Sequence, residues 1–378
     1  MNRPPELVNF ATPATPNWRR WWSALLLLWG VQSAVLLTLW PDNQPRVWLW
    51  AWSMLLPLLW GLVLALRMLP WQLRLYEISV YERVHATALR RWWGHRAMGL
   101  PVQEVLLLGP VGIAQADFQR LMAGAPLPEP VTAKDSDRAL LRCPLGMNSP
   151  FERGVGLARQ LAHSALTLPE FAQRWPTVRA LCWAGDAESE SAFVQTLASK
   201  GLDTPKVRMP LLNLTDLDAL ISDFNQHCDR VNDWLLCAGV VSVDGAECQG
   251  IAGEAGFIWL VSHHGTMLLH RGETLSSAQA DEPAALCAQI QRYGGLSAPP
   301  ADCLAMDVPS GRAFVAGDWS ATKHQLFGKW GALAHLGPFI GMSLALLQAG
   351  ASREACGWLS QDAELNSAIG VAMPHDHH

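Results

Sequence analysis

LFGKWGALAHLGPFIGMSLALLQAG, residues 326–350, decides how this chain is read. The run is apolar, dotted with glycine and as long as a helix that crosses a bilayer. Gly328, Gly331, Gly337 and Gly341 let backbones approach closely, which serves paired membrane helices and tightly packed core helices alike. The residues carboxy-terminal to the run settle the choice. REACGWLSQDAE (353–364) and NSAIGVAMP (366–374) read as two strands that end the chain as a hairpin, and a third membrane span would carry them away from the sheet they complete. Residues 326–350 are therefore expected to form a buried helix of a soluble domain, with Gly331 and Gly341 packed in its interior.

Two other runs read differently. WWSALLLLWGVQSAVLLTLW (21–40) and VWLWAWSMLLPLLWGLVLAL (47–66) are free of charge over a full membrane thickness. Trp18, Trp21, Trp22 and Trp40 bracket the first and Trp48, Trp50 and Trp71 flank the second, as rings that prefer the headgroup region do. The first run is longer than a signal-peptide core and a second comes directly after PDNQPR, so retention is expected. Arg3, Arg19 and Arg20 precede the pair, Arg46 alone lies in the loop, and Arg67, Arg74, Arg83, Arg90, Arg91 and Arg96 come after it. The positive-inside rule then puts both termini in the cytoplasm, with only a tight turn outside. The expected order is a cytoplasmic tail (1–18), a two-helix hairpin (19–69), a juxtamembrane connector (70–100), a mixed α/β domain (101–374) and a disordered tail (375–378).

Within the soluble domain, QEVLLLGPVGI (103–113), VRALCWAGD (178–186), DWLLCAGVV (233–241), GEAGFIWLVSHHG (253–265) and DCLAMDVP (302–309) read as strands. TDLDALISDFNQHCDRV (215–231) reads as a helix with Thr215 as its N-cap. APLPEPVTAKDSD (125–137) reads as an exposed loop, and no tandem repeat is visible. Charged residues make up 16% of the chain and the net charge is −5, which argues against a nucleic-acid partner. Eight cysteines are scattered with no C-x-x-C pair, the pattern of reduced, buried thiols, and neither a metal nor another cofactor is expected.

The series DWLLCAGVVSVDG, AGEAGFIWLVS, CLAMDVPSGR, TKHQLFGKWGALAHLGPFIGMSLALLQAG and ACGWLSQDAELNSAIGVA resembles the second half of the thiolase / β-ketoacyl synthase superfamily, over about residues 178–374. The resemblance implies a thiolase-like α/β fold. In that family a cysteine nucleophile opens a buried helix of the first half, and histidines near the helix matching 326–350 assist it. Here the family's Gly-His pair is matched to Gly328-Lys329, and no cysteine stands in the small-residue turn of the nucleophile. Cys143 in LRCPLG is followed by proline, and Cys182 in VRALCWAGD lies in an expected core strand. The chain thus also resembles the non-catalytic branch, including the accessory proteins of the type VI lipase adapter family, which implies a multi-pass protein of a bacterial inner membrane.

Two functions are compatible with these features. One is a membrane-anchored, non-enzymatic adaptor that binds a protein partner at the cytoplasmic face, a type VI secretion effector or component. The alternative is a membrane-bound acyltransferase or ketosynthase-like enzyme acting on acyl thioesters, with Cys143 or Cys182 and Lys329 in its site. Other motifs read as structure. His263 and His264 are neighbours on one expected strand and face opposite sides. GVGLAR (154–159) lacks the third glycine of a dinucleotide turn, LAHSAL lacks a nucleophile elbow, and DAESES (186–191) suits a helix start.

Overall fold

The computed structural model describes residues 4–41, 44–124, 128–132, 139–145, 150–168, 171–203, 205, 207–227, 233–243, 250–275, 283–321 and 323–375. Cys228, Cys248, most of the 125–137 loop and the last three residues of the tail lie outside them. The chain divides into two compact units, Pro4–Trp92 and Trp93–His378.

The first unit holds α1 (Trp18–Leu39) and most of α2 (Arg46–Ala97). Both helices are long and apolar enough to cross a membrane by length and composition. Polar contacts stitch them together: Trp29 Nε1 donates to the Ser53 hydroxyl and carbonyl, both at 3.1 Å, and Gln32 Nε2 donates to Trp52 O at 2.8 Å. The expected connector is not a separate element. α2 runs unbroken for 52 residues through Pro57 and Pro70, and its last turn belongs to the second unit.

The second unit opens with β1 (Leu100–Leu108), α3 (Gln115–Met122), β2 (Val131–Thr132), β3 (Ala139–Leu141), α4 (Pro150–Ala165) and α5 (Phe171–Arg174). Next come β4 (Val178–Ala184), α6 (Ala187–Ala198), β5 (Val207–Pro210), α7 (Leu214–His227), β6 (Trp234–Ser242) and β7 (Ala252–Val261). The remainder is β8 (Met267–Leu269), β9 (Glu273–Leu275), α8 (Pro283–Tyr293), β10 (Asp302–Ala305), α9 (Val308–Ala313) and β11 (His324–Gln325), then α10 (Phe327–Trp330), α11 (Gly337–Ser352), β12 (Cys356–Gln361) and β13 (Ser367–Pro374).

One sheet runs β11-β10-β12-β13-β8-β1-β7-β6-β4-β5. Read inward from either edge, each arm has two parallel pairings and then two antiparallel ones, and β1 with β8 joins the arms. The topology therefore repeats although no repeat is visible in the residues. In this duplication α7 precedes β6 as α11 precedes β12. Alternation along β4 sets the layers: Ala180, Cys182 and Ala184 face the core that holds α7 and α11, while Leu181 and Trp183 face the core that holds α4 and α6.

Residues 326–350 do form a buried helix, but only from Gly337, where Pro338 occupies the favoured first turn. Upstream, the chain breaks to dock on β7: Gly253 N–H donates to Ala332 O at 3.0 Å and Ala332 N–H to Ile251 O at 2.8 Å. Gly331 takes φ +70°, and a Cβ on Gly253 would collide with the Trp330 carbonyl, so both glycines are required by the approach. The terminal hairpin is present as β12 and β13, paired antiparallel. Smaller expectations shift. Residues 109–113 leave the strand, His263 and His264 fall in the turn after β7, and residues 308–313 are helical. Asn213, not Thr215, caps α7, because its Oδ1 accepts from Asp216 N–H at 2.9 Å while Asp216 Oδ2 accepts from Leu212 N–H at 2.8 Å. Asp186 caps α6 through Ser189 N–H at 2.7 Å, in keeping with the acidic run there.

His270, just after β8, is 4% exposed, and burial pushes its imidazole down to about 4 from 6.5, with the Ala97 backbone opposing. A histidine whose folded value lies below its unfolded one leaves stability intact above pH 6.5 and drains it as the pH falls toward 4. Between pH 7.5 and pH 5 this single group should cost about 2 kcal/mol. Urea titrations at the two pH values should show that loss, and His270→Gln should flatten it.

Candidate functional site

The duplicated topology brings the starts of the two equivalent helices to one place. A cavity of about 690 Å³ is lined by Leu212 to Thr215 at the start of α7 and by His335, two residues before α11. The turn between β12 and β13 contributes Asp362 to Glu364 and Asn366; Gly272, Glu273 and Thr274 come from the start of β9, and Arg96 and Asp218 complete the wall.

Among the described residues, His335 is the one imidazole on this wall. Its Nε2 is buried and has no hydrogen-bond partner among the described residues. Burial pulls its pKa below the ordinary histidine value, and the Asp186 carboxylate partly opposes this, so the ring is neutral at pH 7. The backbone there is strained: Ala334, immediately before His335, has φ +47°, and Leu365, inside the β12–β13 turn, has φ +63°. Such conformations in non-glycine residues persist where the surroundings impose them, commonly at sites. The first turn of α7 adds backbone N–H groups and the positive end of a helix dipole. Asp362 is fixed within its own turn, accepting from Glu364 N–H at 2.9 Å and Asn366 N–H at 2.8 Å.

The residues singled out from the sequence lie elsewhere, and none of Cys143, Cys182 and Lys329 lines the cavity. Cys143 is buried, its N–H donating to Glu254 Oε2 at 3.0 Å, and burial with the Glu254 charge raises its thiol well above the ordinary range. Cys182 faces Cys237 across the parallel β4–β6 pair, both in the core. Cys287, Cys303 and Cys356 are buried thiols with raised pKa values, each chiefly through burial, the first to about 12. A thiol held protonated in this way is a poor nucleophile. Lys329, in α10, donates to Leu121 O at 2.8 Å near the carboxy end of α3, and burial lowers its pKa. The histidine at the start of the long helix is His335, six residues after the Gly328-Lys329 pair; the signal was the HLGPFIG run, which keeps a glycine close behind a histidine. Arg96, in the last turn of α2, carried no sequence signal for the site at all. Among the described residues no cluster of three or more His, Cys, Asp or Glu side chains is placed to hold a metal ion.

No protein-family model matches this chain, and no curated relative does. Among solved structures, the ishigamide ketosynthase/chain length factor superposes with a TM-score of 0.52 at 14% identity, covering 74% of this chain and 100% of that one. The fold is thiolase-like. A ketosynthase from module 1 of the bacillaene synthase of Bacillus amyloliquefaciens gives a TM-score of 0.52 at 9% identity, covering 75% of this chain and 77% of the other. Both neighbours carry ketosynthase in their names, and the expectation of a non-enzymatic, protein-binding adaptor is corrected to the extent that neither is such an adaptor by name. At such identities the likeness establishes the fold, and the chemistry rests on the cavity itself.

Proposed function

We propose that the thiolase-like unit acts on acyl thioesters in the His335 cavity, without an acyl-cysteine intermediate. The observation that carries this reading is a neutral imidazole, His335, on the wall of a cavity of about 690 Å³, with no described cysteine on that wall. Water or a bound hydroxyl acceptor attacks the thioester carbonyl and passes its proton to the His335 imidazole. The new C–O bond forms, the C–S bond breaks, and the departing thiolate takes the proton back from His335. The start of α7, which lines the cavity, sets the positive end of its helix dipole near the charge that develops on the carbonyl oxygen. α1 and α2 anchor the enzyme in a bacterial inner membrane with both termini cytoplasmic, a reading supported by the arginine asymmetry around them.

The purified full chain in detergent, given acyl-coenzyme A thioesters of graded length, should release free thiol. Cys143→Ala and Cys182→Ala should retain that release, since each thiol is buried away from the cavity. A covalent acyl adduct that Cys143→Ala or Cys182→Ala abolishes in a folded protein would overturn the mechanism, and absence of thiol release from every chain length would overturn the function.

A further inference from the structure

The wall of the cavity is completed by the last turn of α2, which belongs to the thiolase-like unit although the rest of that helix does not. Arg96, one residue before the end of α2, is 4% exposed and lines the cavity. Its Nη1 donates to Asp218 Oδ1 at 2.6 Å, its Nη2 to Glu273 Oε1, and its Nε to the Tyr293 hydroxyl at 3.2 Å. Asp218 lies one turn into α7, whose start is one side of the cavity, and Glu273 opens β9 on another. A single planar guanidinium therefore spans two walls, which a fork of donors does and a point charge does not.

The surroundings make this bridge specific. Arg271 holds Asp218 from a second direction through its carboxylate and through its carbonyl at 2.8 Å, and also donates to Ser222 Oγ at 3.1 Å. Tyr293 donates to Glu273 Oε1 at 2.8 Å, and Gln289 reaches the same pair. Asp218 thus keeps a cation if Arg96 is lost, whereas among the described ion pairs Glu273 has Arg96 alone. The rest of the last turn is also seated in this unit. The Arg292 guanidinium lies 3.8 Å from the Trp93 ring centre, Trp93 meets Tyr293 edge to face, and His95 Nε2 sits 3.4 Å from Ser222 Oγ.

We propose that Arg96 is a positioning residue of the His335 cavity: by bridging Asp218 and Glu273 it sets the start of α7 against the start of β9, so that the shape of the site depends on the last turn of α2 being docked. The inference rests on the proposed function only in taking this cavity as the site. One consequence is that a fragment cut at residue 101 lacks part of its own site wall.

The test uses the full chain in detergent and the variants Arg96→Met and Arg96→Lys, with two readouts that do not depend on turnover. The first is amide hydrogen exchange resolved by segment; the second is the rate at which diethyl pyrocarbonate modifies His335, read by mass spectrometry. Arg96→Met should speed exchange over residues 212–216 and 272–275 by about tenfold or more, leave β6, β7 and β12 as in the parent chain, and change the His335 modification rate in parallel. Arg96→Lys, which restores the charge but not the fork, should recover exchange near Glu273 and leave the start of α7 fast. If Arg96→Met raises exchange evenly through the whole unit, or leaves the two wall segments unchanged, Arg96 is only a structural cation and the proposal is wrong. Should Arg96→Met fail to fold, the split between the two walls in Arg96→Lys decides the question by itself, and equal protection of both walls rejects the proposal. Absence of thiol release from the parent chain, with wall exchange in Arg96→Met altered as expected, would count against the acyl-thioester reading and not against this bridge.

Discussion

His335→Ala is expected to lower thiol release from acyl-coenzyme A by about 10²- to 10⁴-fold while the unfolding midpoint stays where it is. The two halves of this expectation come from one fact. Nε2 is buried without a hydrogen-bond partner among the described residues, so deleting the ring breaks no hydrogen bond at that nitrogen. Glutamine at the same position keeps much of the side chain's size but cannot take a proton, and should be as inactive as alanine. The pH dependence has a definite sign. Burial lowers the folded pKa of His335, so the neutral, proton-accepting form persists below the ordinary 6.5 and activity should fall only as the pH passes beneath that value. The acid limb of kcat/KM against pH measures this. A limb above pH 7, or full activity in His335→Gln, would remove the histidine from the mechanism.

Much of the fold could be read in the sequence because strands and helices write themselves in periodicity. The terminal hairpin, the β4 and β6 strands and the buried α11 are legible in runs such as VRALCWAGD and NSAIGVAMP, where apolar patterning and length agree. The site was far less legible, for two reasons. His335 was overshadowed by Gly328-Lys329, because a motif match counts letters while the docking of residues 330–332 on β7 shifts the true helix start to Gly337. Arg96 was counted among the cytoplasmic arginines that orient the membrane helices, and composition cannot separate an arginine that meets headgroups from one that joins Asp218 to Glu273 across more than a hundred residues of chain. The same holds for the glutamate of GEAG, which looks like a motif letter until its partner is seen.

That glutamate, Glu254, supports the second large expectation: Arg153→Met should cost about 3 to 5 kcal/mol of unfolding free energy. Glu254 on β7 is 3% exposed and Arg153 on α4 is 2% exposed. The guanidinium grips the carboxylate with two nitrogens, Nε to Oε1 and Nη2 to Oε2 at 2.5 Å, and Nη2 also donates to Cys143 O at 3.0 Å. Ser242 Oγ and Cys143 N–H also donate to the carboxylate, each at 3.0 Å. Removing the arginine strands a buried negative charge; among the described ion pairs only Arg142, 3.8 Å away and half-buried at its side chain, is left to compensate. That residual cation places the expected loss toward the lower end of the range. The double variant Arg153→Met with Glu254→Gln removes the charge together with its counter-ion, so it should recover a large part of the loss. Denaturant titration of the full chain, followed by tryptophan fluorescence, measures all three proteins. Equal losses in the single and double variants would mean that packing around α4, and not an uncompensated charge, sets the cost. The consequence for the site is direct, because Glu254 adjoins Gly253, the residue on which the 330–332 segment rests before the chain turns to present His335. If the pair anchors that part of β7, Arg153→Met should depress thiol release at temperatures well below its unfolding midpoint, and the double variant should restore it.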